Sequence, residues 1–217
     1  MASVPVGEAI TTSNETLYIV KDNKEFLVGK REEAFFVHRE VACHYSPVFR
    51  AAFNSLFAEG MTQMYRMEDV TPQTFKLLLQ WLKFYATKRQ DHFDKTASME
   101  MRLIALWVLA DRLLMPRLQH FLIACIRDVI KHFGQVEYMI FKFVYDSTPA
   151  GSALRRCYTR IAAYLVEPSF DQRAGYPEEL VFDVLAELRN QIAGSIYSIA
   201  RVLDPNLYCA QIKMSEM

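Results

Sequence analysis

The side chains best suited to chemistry in this sequence are the adjacent Cys43 and His44. A thiol beside an imidazole is the pair a covalent catalyst would use, the imidazole drawing off the thiol proton. Their spacing argues against it, because neighbours at i and i+1 on a helix do not face each other. A satisfied Cys beside a surface or capping His is the competing reading. The other histidines, His38, His92, His120 and His132, are scattered. His38 and His44, six residues apart, would project to different faces of a helix. Zinc needs three or four ligands at close spacing. Of Cys43, Cys125, Cys157 and Cys209, only Cys43 has a His or second Cys within four residues. Asp91 and Asp94 lack the oxygen-rich pattern of a calcium loop. No GxSxG, P-loop, GxGxxG or HExxH motif occurs. The sequence therefore predicts no catalytic, cofactor-binding or metal-binding residues, and no cofactor.

Composition narrows the class further. The 217 residues are 52% hydrophobic and 23% charged, enough apolar material for a core and unlike a disordered chain. Glycine is scarce at 7 residues, which argues against a loop-rich or all-β architecture. Lys+Arg and Asp+Glu are 25 each. With no basic field or patch beyond Lys88-Arg89, direct nucleic-acid binding is not expected. The N-terminal stretch to Asn14 has neither a positive nor an apolar region, so it does not read as a signal peptide. No run approaches the roughly eighteen apolar residues of a membrane span. An intracellular protein, cytoplasmic or nuclear and not secreted, with reduced and mostly buried cysteines, is the expectation. The 15 Phe, 11 Tyr and 10 Met read as core first and interface second.

The elements that must position these residues divide the chain by type. Thr16–Val20, Glu25–Val28 and Ala34–Val37 read as strands, the last two joined by a hairpin loop with Gly29 at its bend. Gln63–Glu68 alternates and is a fourth candidate. Ser46-Pro47 is an N-cap followed by Pro at the first helical position, and Thr71-Pro72 repeats the signal. Val48, Phe49, Ala52, Phe53, Leu56 and Phe57 form an apolar stripe behind the first. Phe75, Leu78, Leu79, Leu82 and Tyr85 form one behind the second. A helix from Ser98 ends at Met115-Pro116, and Pro116 opens the next, with its apolar face running from Leu118 to Ile130. Helices are then expected over Val136–Asp146, Ser152–Val166, Pro177–Asn190 and Ile192–Val202. The Arg89–Thr96 stretch reads as a loop.

One family resemblance follows from these segments. Phe36-Val-His-Arg-Glu-Val-Ala-Cys-His-Tyr-Ser-Pro-Val-Phe-Arg-Ala-Ala-Phe53 closely resembles the core signature of BTB/POZ domains. The likeness continues through Phe57-Ala-Glu-Gly60, Tyr65–Val70, Phe75–Leu82 and Leu106–Leu113, covering about Thr16 to Val129. His38, Arg39, Ser46, Phe49, Asp69 and Trp81 are its signature positions. The wording is similar to BTB proteins of filamentous fungi, whose helical tails often carry a block like Thr148-Pro-x-Gly-Ser-x-Leu-Arg155. The resemblance implies an α+β, BTB/POZ fold: a small sheet of three or four strands capped by a helix cluster, followed by an all-helical C-terminal extension. The expected organisation is a flexible N-terminus over 1–14, a BTB/POZ domain over 15–132 and the extension over 133–217. The family commonly carries an Asp just before its first strand. Here Glu15-Thr16 or Asp22-Asn23 stands there, depending on which strand counts as first.

The implied function is non-enzymatic protein–protein interaction, with self-association into a homodimer and no direct contact with nucleic acid or membrane. Adaptor members also bind the cullin scaffold of ubiquitin ligases through an apolar-x-Glu tripeptide, which Phe57-Ala58-Glu59 matches in type and position. An exposed ring at a helix end can fill a partner's pocket while the carboxylate takes donors beside it. Phe57 also continues the stripe of Phe49, Phe53 and Leu56, in which case it is core and Glu59 is merely solvated. Two other readings remain: an oligomerisation factor associated with transcription but without its own DNA-binding domain, and a small Cys-dependent enzyme using Cys43-His44.

Overall fold

The computed structural model describes residues 22–87, 97–134, 136–165 and 175–194. The expected N-terminal flexible segment, the strand Thr16–Val20, the loop Arg89–Thr96 and Cys209 lie outside the described residues. The chain divides into two compact units, Met1–Ile126 and Arg127–Met217.

The first unit is built on a hairpin. β1 (Asn23–Val28) pairs antiparallel with β2 (Glu33–His38), Phe26 opposite Phe35. The turn opens at Gly29, whose φ of +77° would strain a residue carrying a Cβ. The Gly29 N–H also donates to the Met67 carbonyl at 2.8 Å, tying the turn to β3 (Met64–Met67). β3 runs parallel to β1, giving the order β2-β1-β3. The alternating stretch at Gln63–Glu68 is thus a strand, and the described sheet has three.

Phe26 is the centre of the packing on this sheet. It is wholly buried, with the rings of Phe49, Phe53 and Phe75 at 5.0, 5.6 and 5.3 Å from its own. These residues belong to α2 (Pro47–Phe53) and α4 (Pro72–Thr87), which with α1 (Arg39–Tyr45) and α5 (Ala97–Arg112) close over the sheet. The start signals act as their chemistry requires. Thr71 Oγ1 accepts from the Thr74 N–H at 3.2 Å at the head of α4. Ser46 Oγ accepts from the Phe49 N–H at 3.2 Å and donates to the Leu113 carbonyl at 2.8 Å, so one buried hydroxyl caps α2 and also serves the end of α5.

One expectation fails here. α2 stops at Phe53, so the stripe through Leu56 and Phe57 is cut. Ser55 Oγ donates to the Ala52 carbonyl at 2.8 Å and accepts from the Phe57 N–H at 3.2 Å. Local side-chain bonding of this kind competes with the helix and turns the chain outward. The five-residue α3 (Ala58–Thr62) follows.

α6 (Pro116–Phe133) buries Leu118, Leu122, Ile126, Val129 and Ile130 along one face, and the division between the units falls within it. The second unit contains α7 (Tyr138–Ser147), α8 (Ala153–Leu165) and α9 (Glu178–Gly194). Its core holds Phe141 perpendicular to Tyr158 at 5.8 Å, with Leu154 and Leu180 also buried. The break expected between Asn190 and Ile192 is absent, and α9 continues to Gly194 because neither Pro nor Gly interrupts it there.

The Thr148–Arg155 block closes the α7–α8 corner. Thr148 Oγ1 donates to the Val144 carbonyl at 2.7 Å, and Ser152 Oγ accepts from the Arg155 N–H at 3.1 Å. Arg155 is buried, and its Nη2 donates to the carbonyls of Tyr145 (2.7 Å) and Thr148 (2.9 Å). Its Nη1 donates to Glu179 on α9 at 2.7 Å. The guanidinium lies over the Tyr145 ring, 4.4 Å from its centre. The Tyr145 hydroxyl donates to Asp183 of α9 at 2.8 Å, and burial pushes its pKa above the ordinary tyrosine value.

Two stability predictions follow from these polar junctions. Ser46→Ala removes a cap and strands a buried carbonyl, and should lower unfolding free energy by about 2–3 kcal/mol in a denaturant titration. Arg155→Met should cost about 2 kcal/mol, seen as faster amide exchange in α7 and α8. Arg155→Lys should restore only part of that, since an ammonium cannot span three acceptors as a planar fork does.

Candidate partner-binding site

Among the described residues of the first unit, the most exposed large hydrophobic side chains lie between α2 and β3. Leu56 is 94% exposed, Phe57 77% and Met61 79%. Phe57 occupies the N-cap of α3 and Glu59, half-buried, its first turn. Core packing therefore does not account for Phe57.

Local geometry fixes this presentation. A Cβ on Gly60 would sit 1.8 Å from the Ser55 carbonyl oxygen, so only glycine lets the 54–57 segment lie against α3. Gln63, left-handed at φ +58°, ends α3, and its side-chain amide donates to the carbonyls of Phe53 and Gly60. One side chain thus ties the end of α2 to α3. Thr62 Oγ1 donates to the Ala58 carbonyl at 2.6 Å. Behind the surface, Tyr65 is half-buried, and desolvation raises its pKa, with Glu59 adding to the rise and Arg112 opposing it.

The remaining signature residues are placed for structure. Phe49 and Trp81 are buried, and Trp81 stands edge-on to Tyr45 at 5.1 Å. His38 precedes α1 without capping it through its side chain. Arg39 donates to Asn54 at the end of α2, its Nη1 lies 3.9 Å from Asp22, and its N–H donates to the Asp22 carbonyl at 2.9 Å. Of the two candidates for the acidic residue before the first strand, Asp22 stands directly ahead of β1, and Glu15-Thr16 lies outside the described residues. The Asp22 carboxyl is held below the ordinary range chiefly by its hydrogen bond from Lys24. Asp69 takes both Arg112 Nη atoms, clipping the β3–α4 turn to the end of α5, and this hydrogen bonding lowers its pKa. Of the predicted site residues Phe57 and Asp69 are exposed, and Asp69 is tied to Arg112.

Sequence reasoning missed Leu56 and Met61 as surface residues and Gly60 and Gln63 as their supports. The Asn54-Ser55 pair was the signal, since both residues favour turns over helix interiors.

The Cys43-His44 pair is not arranged for catalysis. Burial pushes the Cys43 thiol up, outweighing the opposing Arg39 and Arg50 charges. His44 is exposed, with its ring edge-on to Tyr45 at 4.7 Å. Cys43, Cys125 and Cys157 form no disulfide, and each is partly exposed where mostly buried thiols are expected. Among the described residues no three His, Cys, Asp or Glu side chains converge on a metal site, and no helix is long and apolar enough to cross a membrane.

The described residues of the first unit thus form a small sheet under a helix cluster, with an exposed apolar segment at Leu56–Met61. Residues 25–128 match the sequence model of the BTB/POZ domain. The chain carries a BTB/POZ domain over residues 25–128, just under half its length. No curated protein matches it. BTB/POZ domains are protein–protein interaction modules, typically self-associating or binding other proteins, and are generally not enzymes.

The raised thiol carries a direct test. With little thiolate at neutral pH, Cys43 should alkylate with iodoacetamide more slowly than a small free thiol, and faster as pH rises. Peptide mapping of the native protein measures this.

Proposed function

We propose that this chain is a self-associating adaptor whose Leu56–Met61 surface docks on a cullin-type ubiquitin-ligase scaffold. The observation that carries the reading is the exposure of Phe57 beside Glu59 on a segment held by Gly60 and Gln63. A ring already outside the core is desolvated only on binding, and such rings dominate interface energetics. Leu56 and Met61 widen the apolar contact, and clustered apolar exposure marks an interaction site more often than scattered residues do. The ordered Ser55, Thr62 and Gln63 bonds reduce the entropy lost on docking.

Self-association is supported separately by β2, which among the described residues lies at the sheet's edge, with Phe36 58% exposed. In this reading residues 15–132 form the interaction domain, and the helices of 133–217 recognise the substrate brought to the ligase.

A pull-down with purified cullin scaffold tests the adaptor role. The Phe57→Ala/Glu59→Ala protein should recover about tenfold less scaffold than wild type, while both share the same melting temperature. Equal recovery would remove the motif from the mechanism. Light scattering should give a dimer for both forms, and a strict monomer at tens of micromolar would end the self-association reading.

A further inference from the structure

A second surface on the first unit lies at the corner where α5 turns into α6. A cleft of ≈ 300 Å³ opens there, lined by His44, Tyr45, Trp81, Leu114, Met115 and Arg117 with two flanking prolines. That is the bottom of the range for small-molecule pockets, about 300–1,000 Å³, and suits one side chain of a larger partner.

Leu114 sets this cleft apart. α5 ends with the Met115 N–H on the Ala110 carbonyl (2.9 Å) and the Leu114 N–H on the Asp111 carbonyl (3.1 Å). This double closure puts its penultimate residue in the left-handed region, where glycine is the usual occupant. Leu114 takes that place at φ +53° and leaves its side chain 58% exposed. The chain thus carries both backbone strain and exposed apolar surface at one position, and strain of this kind concentrates at functional sites. Leu114 forms the outer apolar wall, and buried Met115 and Trp81 form the floor.

The rim has one sign of charge. Arg117 is exposed, no carboxylate lines the cleft, and no carboxylate among the described residues pairs with Arg117. We infer that this cleft docks a segment of a partner protein that presents an aromatic or branched aliphatic side chain next to a carboxylate. The apolar side chain lies against Trp81, Met115 and Leu114, and the carboxylate accepts from the Arg117 guanidinium. Phe57 and Glu59 line no part of the cleft, so this docking is independent of the proposed cullin contact.

The experiment is an amide and indole NMR titration of the full chain with three blocked tetrapeptides, acetyl-Gly-Phe-Glu-Gly-amide and its Gln and Lys analogues. The Glu peptide should shift resonances of His44, Tyr45, Trp81 and Leu114–Arg117. The Gln peptide should bind about fivefold more weakly, the size of one exposed charge contact, and the Lys peptide weakest. Arg117→Glu should reverse the order of Glu and Lys. Leu114→Gly relieves the backbone, so it should keep or raise the melting temperature while weakening the Glu peptide. The Phe57→Ala/Glu59→Ala protein should bind it as wild type does. Equal binding of all three peptides, no shifts at millimolar peptide, or undiminished binding by Leu114→Gly would overturn the inference. Dissociation of the wild-type oligomer by Arg117→Glu would show a second copy in the cleft and overturn it as well.

Discussion

The Ser46 hydroxyl is the junction on which the first unit depends. Every hydrogen-bonding group of this residue is used. Its N–H closes α1 on the Ala42 carbonyl and its carbonyl accepts from Arg50, while the hydroxyl caps α2 and donates to Leu113 at the end of α5. Three helix ends meet at one buried polar residue. A hydroxyl is tolerated at such depth only when fully bonded, so the corner admits a single arrangement. That arrangement aims Phe49 and Phe53 at Phe26 and fixes where α5 must turn.

The aromatic packing around Phe26 and the polar clips around it divide the labour. Burial of the rings supplies the non-directional stabilisation, and the clips decide which way the chain leaves each element. Arg39 holds the start of β1 to the end of α2, and Asp69 with Arg112 holds the β3–α4 turn to α5. These exposed pairs contribute little stability each. Their effect is geometric: they leave the 54–61 segment and the α5–α6 corner facing outward. In the second unit Arg155 does alone what Ser46 does in the first, gathering the carbonyls of Tyr145 in α7 and Thr148 just after it with an α9 carboxylate. Because its partners are largely backbone, that corner tolerates side-chain change better at Glu179 than at Arg155.

Much of this was legible in the residues. Ser46-Pro47, Thr71-Pro72 and Pro116 mark helix starts through backbone chemistry that needs no tertiary context, and Gly29 marks the hairpin for the same reason. The signature block from Phe36 to Phe53 led directly to the fold class. The stripe through Leu56 and Phe57 misled, because apolar periodicity reports what could be buried and is silent about an early helix stop. Asn54 and Ser55 supplied that stop. Likewise nothing in Asn190-Gln191 halts a helix, and a boundary placed there on pattern alone did not form.

The sequence by itself determined the hairpin, the helix starts and the absence of a recognised catalytic motif, since each rests on interactions within a few residues. Only the tertiary structure decided that Phe57 stands outside the core, that Gly60 is required by the Ser55 carbonyl, and that Leu114 takes a left-handed, exposed position beside Arg117. The Ser55–Gly60 contact spans only five residues, but the placement of the α5–α6 corner depends on a contact closed between segments far apart in the chain. The bond from Ser46 to Leu113 spans 67 residues, and no local pattern encodes which carbonyl a hydroxyl will reach once the core has closed.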